Sequence, residues 1–167
     1  MNKIILLFLL PVSLLLNVEW ERVAIDKKVS VLLPKPIEKL NVDGKDAWYG
    51  EIDSAGKCMV MITDMGKMGM DSKTLAEELK RKEFYGKLKN GLALGSNGKP
   101  RNGQITTFKG YHAYKIDITM EEEEGTFDTK LLNFFIGAKM YTFSVISQKG
   151  TTHSSAEAKL ISSIIIK

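Results

Sequence analysis

The apolar residues of this chain change period along its length, and each change predicts an element. "VSVLL" (Val29 to Leu33) is a β-rich run that stops at Pro34, which has no N–H to give a ladder. With "EWERVAID" before it, the start reads as two short extended segments. "KDAWYGEID" and "CMVMITDM" flank the turn "SAGK", which contains Gly56, and predict a hairpin. In Cys58 to Ile62 the side chains alternate, Cys58, Val60 and Ile62 against Met59 and Met61. Both sets are apolar, so the strand is expected to be covered on both faces. At Asp71 the period lengthens. "DSKTLAEELKRKEFYGKL" predicts one helix, capped by Asp71 or Ser72, with Thr74 and Glu77 as an alternative capping box. Leu75, Ala76, Leu79 and Lys82 lie on one side, Phe84 and Tyr85 widen it, and Asn90-Gly91 is the expected stop.

Residues 86 to 104 carry five glycines and read as the longest irregular stretch. Strands then follow one another. "GQITTFKGYHAYKIDITM" turns at Lys109-Gly110, "EEEEG" makes the next turn, and "TFDTKLLNFFIGAKMYTFSVIS" folds back at Gly137-Ala138. "TTHSSAEAKLISSIIIK" predicts a last helix capped by Ser154 or Ser155, its apolar side being Ala158, Leu160, Ile161, Ile164 and Ile165. Strands, helix, four strands, helix is not a strand–helix alternation. It predicts an α+β fold: a mostly antiparallel sheet of about six or seven strands with a central and a C-terminal helix packed on it.

The N-terminus stands apart. "MNKIILLFLLPVSLLLN" has Lys3 and then an apolar run from Ile4 to Leu16, broken by Pro11 and Ser13. That run is short for a helix crossing about 30 Å of hydrocarbon. It predicts a signal peptide over 1–17, with an uncleaved interfacial anchor as the alternative, and hence an exported protein, periplasmic or secreted. A single domain over 18–167 is expected. The formal net charge is +4; without Lys3, 23 basic side chains face 20 acidic ones. No basic stripe with interleaved aromatics is present, which argues against nucleic-acid binding.

Five of the eight methionines fall between Cys58 and Met70. Met59 and Met61 read as strand packing. Met65, Met68 and Met70 lie in the turn "MGKMGM", where their soft thioethers would suit Cu(I). Cys58, the single cysteine, is expected to be a buried hydrophobe. The two histidines, His112 and His153, make no His-x-x-His pair, so no zinc set is assigned. His112 is the side chain a hydrolase would use. Pairing it with Cys58 would need an accessible thiol, which an apolar strand does not give. Glu121 to Glu124 form a solvated run on a turn. Neither a G-x-S-x-G elbow nor a phosphate-binding G-x-x-x-x-G-K-[ST] occurs. No catalytic residue, metal ligand or cofactor is assigned.

Several stretches, taken in order, resemble the PsbP-like family, which includes the extrinsic photosystem II proteins and shares its fold with Ran-binding nuclear-import factors. They are "VSVLLPKP" (Val29 to Pro36), "GYHAYKIDI" before the acidic turn, "GAKMYTFSVIS" (Gly137 to Ser147) and "EAKLISSIII" (Glu157 to Ile166), with the central helix from Ser72 between them. The resemblance implies an α/β/α sandwich and a non-catalytic binding or accessory module. The expected partner is an unknown protein or small ligand of the cell envelope, with membrane contact only through the N-terminal segment. No site residue carries over, and a photosynthetic role does not follow from the fold. The alternatives are a Cu(I)-binding protein using Met65, Met68 and Met70, and a hydrolase using His112.

Overall fold

The computed structural model describes residues 18–42 and 44–167; the expected signal peptide at 1–17 lies outside them. A first hairpin joins β1 (Trp20–Ala24) to β2 (Val29–Pro34). Then come β3 (Ile37–Val42), β4 (Lys45–Asp53), β5 (Gly56–Asp64), a 3-10 turn (Gly66–Met68), α1 (Ser72–Glu78) and α2 (Lys82–Gly95). The long meander is β6 (Gly98–Phe108), β7 (Tyr111–Glu122), β8 (Gly125–Ile136) and β9 (Lys139–Gln148), followed by α3 (Ser154–Ser162) and β10 (Ile165–Ile166). Seven strands make one antiparallel sheet in the order β3-β4-β5-β9-β8-β7-β6, and β1-β2-β10 make a second, small one. The expected turn at Lys109-Gly110 is present, with φ of +49° and +84° at its two residues. Positive φ at both central positions matches the right-handed twist of the flanking strands.

Alternation along the strands builds two cores. One face of the large sheet presents Cys58, Val60, Phe143, Phe134 and Leu132, and receives Val29, Val31 and Leu33 of β2 and Leu160 of α3. Phe134 stacks on both Tyr141 and Phe143, with centroids 5.3 and 5.5 Å apart. The other face presents Tyr114, Ile116, Ile118 and Phe135, and receives Leu75, Leu79, Phe84 and Tyr85 from α1 and α2. The α+β sandwich expected from the sequence is therefore formed. Its layers differ from the expectation in one respect, because the cover opposite α1 and α2 is the small sheet together with α3. The helical cover is also partial. No residue of β3 or β4 belongs to the helix-side core, and Met59 and Met61 stay half-buried beside Leu40 and Val42, 42% and 44% exposed.

Three local expectations need correction. The single helix from Asp71 is two helices. Asp71 caps the first, its carboxylate accepting from the Thr74 N–H at 2.8 Å, but Arg81 is extended (φ −103°, ψ 132°) and restarts the chain as α2. The break lets Leu79 and the Phe84–Tyr85 pair all reach the sheet, and the Tyr85 hydroxyl donates to the Leu79 carbonyl at 3.0 Å; Lys82, expected on the apolar side, is exposed. Next, residues 86–104 are not irregular: α2 runs through Gly86 and Gly91 to Gly95, and β6 starts at Gly98. Tertiary burial of Phe84, Tyr85 and Ala93 overrides the weak helix propensity of the glycines. Open space surrounds Gly86 and Gly91. Gly86→Ala and Gly91→Ala are each expected to stabilise the fold by about 0.5–1 kcal/mol, read as a raised Tm.

The third correction concerns the last helix. His153, not Ser154 or Ser155, holds its N-cap position, with no side-chain cap bond. The helix ends at Ser162 because the next residue ties the chain to β2: the Ser163 hydroxyl donates to the Leu160 carbonyl at 2.8 Å and accepts from the Leu32 N–H at 3.0 Å. Its buried side is Ala156 and Leu160, continued by Ile164; Ala158 is exposed, and Ile165 belongs to β10 beside Ser30. One element, β3, has no counterpart in the sequence reading.

Candidate functional site

Burial decides the sulfur-bearing candidates first. Cys58 is fully buried, and burial pushes its thiol up to about 12, so it carries no thiolate at neutral pH. The methionines of the turn separate. Met65 enters the helix-side core at 4% exposure, Met70 packs against that core, and Met68 stands out at 63% exposure. Met65 and Met68, the Met-x-x-Met pair, thus face opposite surroundings. His112 is exposed on β7, opposite Thr107 of β6.

The structure brings together a trio that the sequence had left dispersed. The His153 ring spans from Ser147 at the end of β9 to Asp53 at the end of β4, with Nδ1 2.8 Å from the serine Oγ and Nε2 3.0 Å from the aspartate Oδ2. A carboxylate only accepts, so Nε2 carries a proton towards Asp53, and in the neutral ring Nδ1 accepts from the Ser147 hydroxyl. This is the bond order of a Ser–His–Asp relay with the two ring nitrogens exchanged. Burial raises the Asp53 carboxyl, but the Ala55 N–H and His153 outweigh it and hold it below the usual range.

A relay also needs an accessible nucleophile and free donors for an oxyanion. Ser147 is 8% exposed and sits inside the ladder between Gly56 and Asp128. The nearby Ala55 and Gln148 N–H groups are already paired, with Asp53 and with the Ala55 carbonyl. The trio therefore works as a latch between the start of α3 and the β4–β5 hairpin. Gly56 makes room for it: a Cβ there would lie 2.4 Å from the ring Cε1. Gly56→Ala is expected to cost about 1–3 kcal/mol, and much less in a His153→Ala background. A double-mutant cycle by urea denaturation measures that coupling.

A concave feature with an apolar lining lies elsewhere. A groove of about 280 Å³ runs between α3 and β7, β8 and β9. Leu132, Phe143, Val145 and Leu160 form the floor, while Lys115, Asp117, Lys130 and Glu157 form the rim. Lys130 bonds Glu157 at 2.9 Å and lies opposite Asp117 in the ladder, and its ammonium is held above the usual range chiefly by Glu157. Asp117 also accepts from the Asn102 amide at 3.0 Å. Among the described residues, neither Lys115 nor Asp117 of the rim has an ion pair. His112, Cys58 and Ser147 do not line the groove. An apolar floor with a few polar groups at its edge is the usual make-up of a binding site. Its volume is near the lower end for small molecules, and it would also take one anchoring side chain of a partner.

No family model matches the sequence, and no curated protein does. Solved structures do match the fold. Cyanobacterial PsbP from Synechocystis superposes with a TM-score of 0.59 at 13% identity, over 89% of this chain and 92% of that one. LpqN of Mycobacterium tuberculosis, involved in cell envelope biogenesis, matches at a TM-score of 0.48 and 10% identity, over 90% of this chain and 92% of that one. A Bacteroides thetaiotaomicron protein matches at 0.48 and 13% identity over 83% of this chain, which spans 45% of that protein's length. The strand order, the helix pair on one face and the likeness to cyanobacterial PsbP agree: the chain has the fold of the PsbP-like proteins.

Proposed function

We propose that this protein is an exported, non-catalytic binding module that holds its ligand or partner in the groove between α3 and β7–β9. One observation carries the proposal: the groove joins an apolar floor to a charged rim and contains neither histidine nor cysteine. Export rests on the N-terminal sequence, Lys3 followed by the apolar run to Leu16.

The test is site-specific photo-crosslinking in the native cell, with the crosslinker at Ile161 in the groove and at Asn90 on the exposed side of α2 for comparison. A discrete adduct is expected from position 161 alone, in the exported fraction, and it disappears when Ala158→Arg fills the groove. An adduct that survives Ala158→Arg, or one formed equally from position 90, overturns the assignment. Ester or amide hydrolysis by the purified protein that is lost in Ser147→Ala or His112→Ala overturns the non-catalytic reading.

A further inference from the structure

The net charge of this protein is not spread over its surface. From Val18 onward the chain has 23 basic and 20 acidic side chains; Gly66 to Gly95, the helical layer, hold 7 and 4 of them. The remaining 16 and 16 cancel, so the whole excess of three positive charges sits on α1, α2 and the turn before them. Two of the seven cations are neutralised locally, Lys80 by Glu77 and Arg81 by Glu78. Lys67, Lys73, Lys82, Lys87 and Lys89 have no ion pair among the described residues. Of the layer's other acids, Asp71 is engaged as a helix cap, which leaves Glu83.

The same layer carries the two most exposed large apolar side chains among the described residues, Leu94 at 83% and Met68 at 63%. Leu94 shares the outer side of α2 with Lys87, Asn90 and Gly91, while Phe84, Tyr85 and Ala93 face the sheet. We propose that this outer face of α1 and α2 docks on an anionic lipid bilayer, its lysines at the headgroups and Leu94 and Met68 inserted between them. This proposal is independent of the groove. It adds a second membrane contact to the one expected of the N-terminal segment.

Charge complementarity favours a lipid surface, and so does the form of the apolar exposure. A protein partner is matched by a contiguous, shape-complementary patch. Here two single side chains are exposed, Met68 in the turn before α1 and Leu94 near the end of α2, and a Cβ at Gly86 or Gly91 of α2 would meet only open space. A bilayer interface accepts isolated apolar side chains wherever they fall, and the lysine stems can follow them in. No helix among the described residues is long and apolar enough to cross a membrane.

The experiment is vesicle co-sedimentation of the full-length chain, comparing phosphatidylcholine vesicles with vesicles containing about 30% phosphatidylglycerol at low salt. The readout is the ratio of the two affinities compared between wild type and variants, a comparison in which the common N-terminal run, Lys3 included, cancels. Each lysine near an anionic surface multiplies affinity about fivefold, so Lys73→Glu, Lys82→Glu and Lys87→Glu, which reverse three charges, are together expected to lower the ratio at least about a hundredfold. Leu94→Asp lowers affinity for the anionic vesicles severalfold, and about 0.5 M salt abolishes the preference. A control triple variant, Lys57→Glu, Lys149→Glu and Lys167→Glu, has the same net charge and is expected to keep most of the ratio. Equal losses in both triple variants, or no preference for anionic vesicles, overturn the proposal. Retention on a poly-glutamate matrix without vesicle binding also overturns it and assigns the face to an acidic protein.

Discussion

Gly50→Ala is expected to remove more than about 3 kcal/mol of stability, enough to abolish a cooperative unfolding transition in a domain of ordinary marginal stability. The reason is a close approach between two backbones. A Cβ at Gly50 of β4 would lie 1.8 Å from the Pro34 carbonyl oxygen and 2.9 Å from its carbon, in β2. Neither strand can yield. Gly50 is held between Ile37 and Cys58 in the large sheet, and Pro34 faces Trp20 in the small one. The contact is the place where the small sheet crosses the large one, so pushing it apart exposes Val29, Val31 and Leu33, all at most 1% exposed. Thermal and urea denaturation of Gly50→Ala beside Gly86→Ala checks it, since the second has open space around it. A Tm near wild type for Gly50→Ala would show that the sheets do not touch at this point.

How much of this was legible in advance varies with the range of the interaction. Strand alternation and glycine turns are local, so the meander from Ile105 to Ser147 could be read, including its turns at Lys109-Gly110 and Gly137-Ala138, whereas the first half of β6, from Gly98 to Gln104, reads as irregular because of its glycines. "CMVMI" shows the limit of that method. Its inner set, Cys58 and Val60, is fully buried, but Met59 and Met61 remain half-covered, because the extent of the helical layer is a tertiary fact. The edge strand β3 escaped because Ile37, Glu38, Lys39, Leu40, Asn41 and Val42 are half-buried or exposed and show no clean alternation. Met65, placed in a glycine-rich turn, looked exposed. Its N–H donates instead to the Ala138 carbonyl at 2.8 Å, and its side chain turns into the helix-side core.

The sites were less legible still. Asp53 lies 100 positions before His153, and no spacing rule joins them; Gly56 reads as a turn glycine, and only the structure puts it in β5 with the His153 ring against it. The groove floor comes from β8, β9 and α3, and its residues, Leu132, Phe143, Val145 and Leu160, are core positions at most 4% exposed, so nothing in the sequence sets them apart from the rest of the core. In the sequence the basic residues read as spread over a solvated surface, and the excess on Gly66 to Gly95 emerges only when the helical layer is counted by itself. What the sequence lacked was the outward placement of Leu94 and Met68 beside them.

Lowering the pH from about 5 to about 2 should withdraw about 2 kcal/mol of stability through a single carboxylate, Asp26. It sits between β1 and β2 and ties that hairpin to β9. One oxygen accepts from the Tyr141 hydroxyl at 2.7 Å and the Lys139 ammonium at 3.0 Å; the other accepts from the Lys28 and Val29 N–H groups at 2.8 and 3.0 Å. Burial pushes the carboxyl up, but these four donors together outweigh it and lower its pKa to about 2. The Tyr141 hydroxyl is raised, by burial and by the same carboxylate. An unfolded aspartate titrates near about 3.9, so on acidification the unfolded chain takes up its proton first. The stability is therefore complete above about pH 5 and is lost as the pH falls through about 4 towards 2. The Asp26 side chain is 18% exposed, so solvent screening reduces the effect only modestly. Asp26→Asn should cost about 2–3 kcal/mol at pH 7, since it breaks hydrogen bonds to a charged group and leaves the Tyr141 hydroxyl without its carboxylate. Urea denaturation of wild type and Asp26→Asn across this pH range separates the charge from mere packing. The gap between them should narrow steadily below pH 5, whereas a gap that stays constant down to pH 2 would mean that folding does not lower the carboxyl's pKa.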